Sequence, residues 1–223
     1  GDLWAAHAAH FIHQLRLELR LSPEDVVLDV GCGNGLIAAA LAPLVKEVHA
    51  TDTSSNHLEQ ARQRFSHLNN LHFHLLPEDD YLHLSRLPVR GVTLILCVSV
   101  IQYYRSMAEV ATLIAQTRTV AAPAARMLLA DLLVDYSLTA DMWGSLWGAL
   151  RSGTLRLKIF EFADAQSKGY KSLRQRLGLL HMSGEELLEL CRRADCRPRF
   201  VDRQFTLNSS RRHLLLDIGS NPR

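Results

Sequence analysis

The residue types best suited to chemistry stand together near the start of the chain, in Val27-Leu28-Asp29-Val30-Gly31-Cys32-Gly33-Asn34-Gly35. Glycines let a chain turn tightly and let a ligand lie against bare backbone. The apolar run before them reads as a strand and residues 36–41 as a helix. The loop therefore opens a helix N-terminus, whose unpaired N–H groups face a ligand. The spacing is G-x-G-x-G, with Leu36 where a dinucleotide fingerprint has its third glycine. Asp29 precedes the glycines inside the strand, and a carboxylate there suits a ligand carrying a cation better than one carrying a pyrophosphate. Asp52 follows roughly 20 residues beyond Gly31, where doubly wound nucleoside-binding folds present a carboxylate to ribose hydroxyls. Alone, Asp52 reads equally well as a helix cap, and the glycines as a plain turn. The order strand, loop, helix, strand, acid favours a nucleoside site.

Those residues need a frame, and the hydrophobic pattern supplies one. A first helix is expected over 3–20, with Leu3, Ala6, Phe11, Leu15 and Leu19 on one face and Ser22-Pro23 as its stop. Short β-branched or wholly apolar runs predict strands at 26–30, 45–51, 71–76, 92–98 and 126–134. Between them lie helices at 36–41, after the Ser54 cap, and at 107–120. Residues 136–180 break this rhythm with two Trp, several other aromatics and many basic groups, and read as a mostly helical insertion on the acceptor side. Ser183-Gly184-Glu185-Glu186 matches a capping box and opens a helix with Leu187, Leu190, Cys191 and Ala194 on one face. Strands at 199–207 and 213–218, joined by Asn208-Ser209-Ser210, should close an antiparallel hairpin. The sum is an α/β fold: one doubly wound, seven-stranded, mostly parallel sheet with a C-terminal antiparallel hairpin, in a single domain over 1–223.

Composition narrows the function classes. The 25 basic and 23 acidic side chains leave a formal charge of +2, too small a field to recruit nucleic acid or an anionic membrane by itself. No stretch approaches the roughly 20 apolar residues of a membrane helix, and no secretory signal pattern opens the chain. Cys32, Cys97, Cys191 and Cys196 form no CxxC pair and no zinc-like spacing, so reduced thiols in a cytoplasmic protein, and no metal, are expected. His7, His10 and His13 recur every third residue, but no acid or thiol joins them in sequence, and they read as a polar helix edge.

Asp29-x-Gly31-x-Gly33-x-Gly35 together with Asp52 resembles the class I S-adenosylmethionine-dependent methyltransferases, as does the strand order over nearly the whole chain. The resemblance implies S-adenosyl-L-methionine as cofactor, with Gly31 and Gly33 approaching its methionine part and Asp52 its ribose. An acid after the third strand would address the adenine; Glu78, Asp79 and Asp80 are available, and Asp79 is favoured. The cofactor-binding set expected from the resemblance is Asp29, Gly31, Cys32, Gly33, Asp52, Thr53, Asp79 and Cys97.

The segment Ser99-Val100-Ile101-Gln102-Tyr103-Tyr104 is similar to one in methyltransferases of polyketide and nonribosomal-peptide assembly lines. Gly169-Tyr170-Lys171-Ser172-Leu173-Arg174 and 208–211 resemble the oxygen-methylating members of that group. The resemblance implies a small-molecule acceptor, with an acyl carrier protein as a conceivable bearer. Neither a nucleic-acid nor a membrane partner is expected, and no Asn/Asp-Pro-Pro-Tyr segment follows the fourth strand to grip a flipped base. N- or C-methylation, and a cofactor-binding module without catalysis, are the competing readings.

A hydroxyl acceptor calls for a base, and His181 is the first choice, because imidazole is the side chain that ordinarily titrates nearest neutrality; Glu161 is the second. Gln102 can orient a substrate oxygen, and Tyr103 either lines the pocket or packs under the next helix. Trp143 and Trp147 suit a pocket wall or ordinary core. The basic run from Arg151 to Arg176 suits a solvated face or an anionic carrier.

Overall fold

The computed structural model describes residues 2–135, 143, 147 and 179–218. Seven strands form one sheet: β1 Val26–Val30, β2 Glu47–Asp52, β3 Leu71–Leu75, β4 Val92–Val98, β5 Ala121–Leu132, β6 Arg197–Phe200 and β7 Arg212–Asp217. Their order is β3-β2-β1-β4-β5-β7-β6. All neighbours are parallel except β7, which runs antiparallel to both β5 and β6. The chain winds outward from β1 to β3, then restarts at β4 on the other side of β1. That reversal opens a crevice at the carboxyl ends of β1 and β4, the place where open α/β sheets bind ligands.

The helices are α1 Asp2–Leu19, α2 Leu36–Leu41, α3 Ser55–Arg64, α4 Met107–Thr117 and α5 Gly184–Arg193. α1 and α2 cover one face of the sheet, where Phe11, Leu15, Val27, Leu94, Leu96 and Leu128 pack together. α4 and α5 cover the other, with Leu28, Ile95, Leu113, Leu187, Leu214 and Leu216. β1 and β4 are therefore buried on both faces, which is why their sequences run apolar without alternation. Each such side chain contributes about 1.5–3 kcal/mol of transfer free energy, enough to fix strand positions and hold the loops above them.

Local signals start two helices where the residues suggest, whereas α4 stops at Thr117 rather than 120. Ser54 accepts the His57 amide to cap α3, and Ser183 with Glu186 forms the reciprocal capping box at α5. Among the described residues no helix is long and apolar enough to cross a membrane.

Two strands differ from expectation. β5 starts at Ala121 rather than Arg126, because Ala121 pairs with Val92 before the register shifts; it ends at Leu132, short of the expected 134. β6 covers only Arg197–Phe200 instead of reaching 207. Beyond Val201 the chain leaves the sheet so that Phe205, 1% exposed, can pack on Phe11 at a ring separation of 5.5 Å. A buried aromatic anchor outweighs continued pairing at a sheet edge. The Asn208 turn does form, with the Ser210 amide donating to Asn208 Oδ1 at 3.0 Å. The expected insertion lies outside the described residues apart from Trp143, Trp147 and its last two positions. Both Trp are helical, and at 68% and 58% exposed they are not packed into the core.

Candidate functional site

β1 delivers Asp29 to the floor of the crevice. Its register partners are Ala50 on β2 and Leu96 on β4, so apolar strands flank the carboxylate on both sides. The residue is 2% exposed, and Asp29 Oδ2 has no hydrogen-bond partner among the described residues. Burial, reinforced by the negative charge of Asp52, pushes the Asp29 carboxyl up to about 7. An orphaned acid in such a setting awaits a cation.

The loop above it continues the ladder between β1 and β2. The Gly31 and Cys32 amides both donate to the Thr51 carbonyl, at 2.8 and 2.9 Å. Gly31 has φ +74, and a Cβ there would lie 2.4 Å from Val100 Cγ2. Gly33 has φ +54, and among the described residues nothing lies within 4 Å of its missing Cβ, so the backbone there is bare. Asp52, at the end of β2, accepts the Gly33 amide on Oδ2 at 2.8 Å and the Ser54 amide on Oδ1 at 2.8 Å. A buried acid, a bare glycine loop and a second acid at its rim fit a nucleoside that carries positive charge.

The remaining sequence-derived residues fall at different depths. Thr53 is an exposed bend just past Asp52, and Cys32 is half-buried on the loop. Cys97 is buried near the end of β4 beside Val30. Burial and the nearby Asp29 charge push both thiols up, so they act as packing groups rather than nucleophiles. Of the three acids after β3, Glu78 and Asp79 are exposed in a turn. Asp80 is half-buried and bonded to His83 and Arg86.

The segment after β4 folds over the other side of the crevice. Ile101–Tyr103 forms one 3-10 turn. Gln102 is 5% exposed and its Oε1 has no partner among the described residues. Tyr103 is half-buried, while Tyr104 is the member of the pair that enters the core. The Leu180 amide donates to the Gln102 carbonyl at 2.8 Å, and Met182 bridges Val134. His181 is exposed and lies between these two pairings, which tie its neighbours to the segments that follow β4 and β5. Glu161 and the basic run 151–176 lie outside the described residues. Among the described residues no group of three or more His, Cys, Asp and Glu is placed to hold a metal ion. His10 instead bonds the Gln204 carbonyl at 3.1 Å, tying α1 to the β6–β7 link.

Asp131 went unnoticed in the sequence, yet Ser99, which opens the segment singled out after β4, donates its hydroxyl to it across the ends of β4 and β5. The available signal was an acid closing an apolar run, Leu128-Leu129-Ala130-Asp131; reading that strand through to residue 134 hid it.

Against known proteins, a family model described as a methyltransferase domain matches residues 28–127, from β1 through the start of β5. Over 54 residues the chain is 37% identical to a probable cobalt-precorrin-6B C(15)-methyltransferase (decarboxylating) of Archaeoglobus fulgidus. That match spans 24% of this chain and 32% of the relative, so about two thirds of the relative has no counterpart in it. Among solved structures, the N-methyltransferase NodS of Bradyrhizobium japonicum WM9 with S-adenosyl-L-homocysteine superposes with a TM-score of 0.56 at 16% identity, covering 96% of this chain and 87% of that one. Mitomycin 7-O-methyltransferase MmcR gives 0.63 at 16% identity, over 97% and 54%. At such identities the likeness is one of fold, and these proteins are named for methylation at carbon, nitrogen and oxygen respectively.

Proposed function

We propose, from the match of residues 28–127 to a family model described as a methyltransferase domain, that this protein moves a methyl group from S-adenosylmethionine to the hydroxyl oxygen of a small molecule. The observation carrying the proposal is the buried Asp29 Oδ2, which has no partner among the described residues, on the strand that leads into the Gly31–Gly33 loop. Asp29, Gly31, Cys32, Gly33, Asp52, Thr53, Asp79 and Cys97 are the residues proposed to surround the cofactor. Asp29 answers its positive charge, and Asp52 keeps lone pairs for ribose hydroxyls beyond those used by the two amides. Asp79, exposed at the rim, is the adenine contact in this reading.

When bound, the cofactor supplies a methyl group already activated by its sulfonium. The protein's task is then mostly alignment in a dry pocket, worth on the order of 7–11 kcal/mol at best. The buried Gln102 side-chain amide would orient the acceptor oxygen, Tyr103 would line the pocket, and His181 would take the hydroxyl proton. A base so placed adds about 10²–10⁴-fold. The similarity of 99–104 and 169–174 to assembly-line enzymes supports a natural-product or carrier-linked acceptor.

The test is incubation with methyl-labelled S-adenosylmethionine and a panel of hydroxyl, amine and acyl-carrier-linked acceptors, with products located by mass spectrometry. Label on oxygen, slowed by His181→Ala with cofactor affinity unchanged, is the expected result. Label on nitrogen or carbon alone would overturn the hydroxyl reading, and undiminished turnover would remove His181 as base.

A further inference from the structure

The carboxyl ends of β4 and β5 share an uncommon arrangement. Val98 and Ala130 are register partners, and the residue after each turns left-handed: Ser99 has φ +59 and Asp131 φ +61. Side chains other than glycine hold this conformation only where surrounding structure enforces it, and such residues gather at functional sites.

The enforcing structure is a β-bulge. On the β5–β7 ladder Leu129 faces Leu214 and Leu132 faces Arg212, so Ala130 and Asp131 together oppose His213. The Asp131 amide has lost its strand partner and donates instead to His213 Nδ1 at 3.2 Å. An Nδ1 that accepts leaves the ring proton on Nε2, which points at Gln204 Oε1, 3.3 Å away. Burial pushes this imidazole down to about 4, so it remains a neutral acceptor near neutral pH.

The bulge turns the Asp131 carboxylate toward β4. Its Oδ2 accepts from Ser99 Oγ, and its Oδ1 accepts from Thr206 Oγ1 at 3.3 Å and faces Arg211 Nε at 3.5 Å. The next residue after Ser99 is Val100, whose methyl group fills the space where a Gly31 side chain would be. The left-handed Ser99 that leads to Val100 is thus held from β5 twice, by its amide on the Ala130 carbonyl at 3.0 Å and by its hydroxyl on Asp131.

We propose that Asp131 is a positioning residue of the cofactor site, acting through Ser99 to hold Val100 against Gly31. The proposal rests on the S-adenosylmethionine reading above. It makes the β5 bulge, remote from Asp29 and Asp52 in sequence, a determinant of cofactor affinity.

The test is calorimetric titration of the full chain with S-adenosylhomocysteine, for the unaltered protein, Ser99→Gly, Asp131→Asn and the double variant, with a melting temperature for each. Ser99→Gly removes the hydroxyl while relaxing the left-handed backbone, and its melting temperature reports whether the fold survives the lost hydrogen bond. Each single change should weaken binding about tenfold, and the double variant should bind no more weakly than the weaker single, as for two residues acting through one bond. Unchanged affinity in Ser99→Gly overturns the proposal, as do losses that simply multiply in the double variant. Should Asp131→Asn fail to fold, Ser99→Gly decides alone. If the unaltered protein ignores S-adenosylhomocysteine, the methyltransferase reading falls instead.

Discussion

Asp52 Oδ2 accepts the Gly33 amide at 2.8 Å, so the acid that ends β2 fixes the central glycine of the loop following β1. The two are 19 positions apart in sequence. They meet because β1 and β2 are parallel neighbours that end at the same level, Val30 opposite Thr51. One side chain therefore ties the loop after β1 to the end of β2.

Asp52→Ala removes acceptors from two amides, Gly33 and Ser54. We expect at least about a tenfold loss of S-adenosylmethionine affinity by calorimetry, equivalent to roughly 1.4 kcal/mol. The melting temperature should fall by about 2–8 °C, since a charged acceptor is lost at a partly exposed site. An unchanged titration would remove Asp52 from the site.

Two loop glycines should fail in different ways. Gly31→Ala drives a methyl group to 2.4 Å from Val100 Cγ2 at φ +74, and the protein should lose roughly 2–4 kcal/mol of stability. Gly33→Ala meets no atom of the described residues within 4 Å, so the expected cost is only the left-handed backbone, about 1–2 kcal/mol. Its methyl enters the open space proposed for the cofactor, and binding should fall at least about tenfold. Denaturant unfolding and calorimetry separate the two; equal stabilities, or normal binding by Gly33→Ala, would contradict this account.

Buried titrating groups set opposing pH trends. Asp29 titrates near 7 in the folded chain against an ordinary 3.8. Between these values the unfolded chain has released a proton that the folded chain keeps, so this group lowers stability as pH rises. Burial pushes His213 and His74 down to about 4 from 6.5. Their contribution is whole above 6.5 and is lost as pH falls toward 4. The effects oppose one another in one window. Asp29→Asn removes only the first, so its urea midpoint should climb more steeply from about pH 4.5 to about pH 6.5 than that of the unaltered protein. Matching slopes would show that Asp29 does not titrate there.

The same carboxyl should make cofactor binding pH-dependent. A cation beside Asp29 favours the ionised form, so S-adenosylmethionine affinity should increase from about pH 6 to about pH 8, with proton release near neutrality. Titrations in buffers of different ionisation enthalpy measure that proton. Asp29→Asn should show a flat profile, and a flat profile in the unaltered protein would argue against contact with Asp29.

Much of the architecture was readable because the signals are local. Buried parallel strands such as β1 and β4 must be apolar on both faces, and glycines must punctuate where the backbone turns left-handed. Ser54 and Ser183 cap the next helices by reaching only three residues ahead. β6 was misjudged because the alternation through 199–207 says nothing of Phe11, nearly two hundred positions away, which takes Phe205 out of the sheet. Asp131 was missed for a similar reason: a bulge is defined by its partner strand, and the partner is His213.

By itself the sequence determined the parallel α/β layout, the glycine loop on the end of β1 and the two acids that bracket it, because periodicity and turn chemistry act over a few residues. Tertiary structure decided that Asp29 is buried with one oxygen unpartnered among the described residues, that Asp52 ties down Gly33, and that Val100 makes glycine obligatory at 31. Burial, charge and close approach belong to neighbours in space, and those neighbours exist only once the strands are laid side by side.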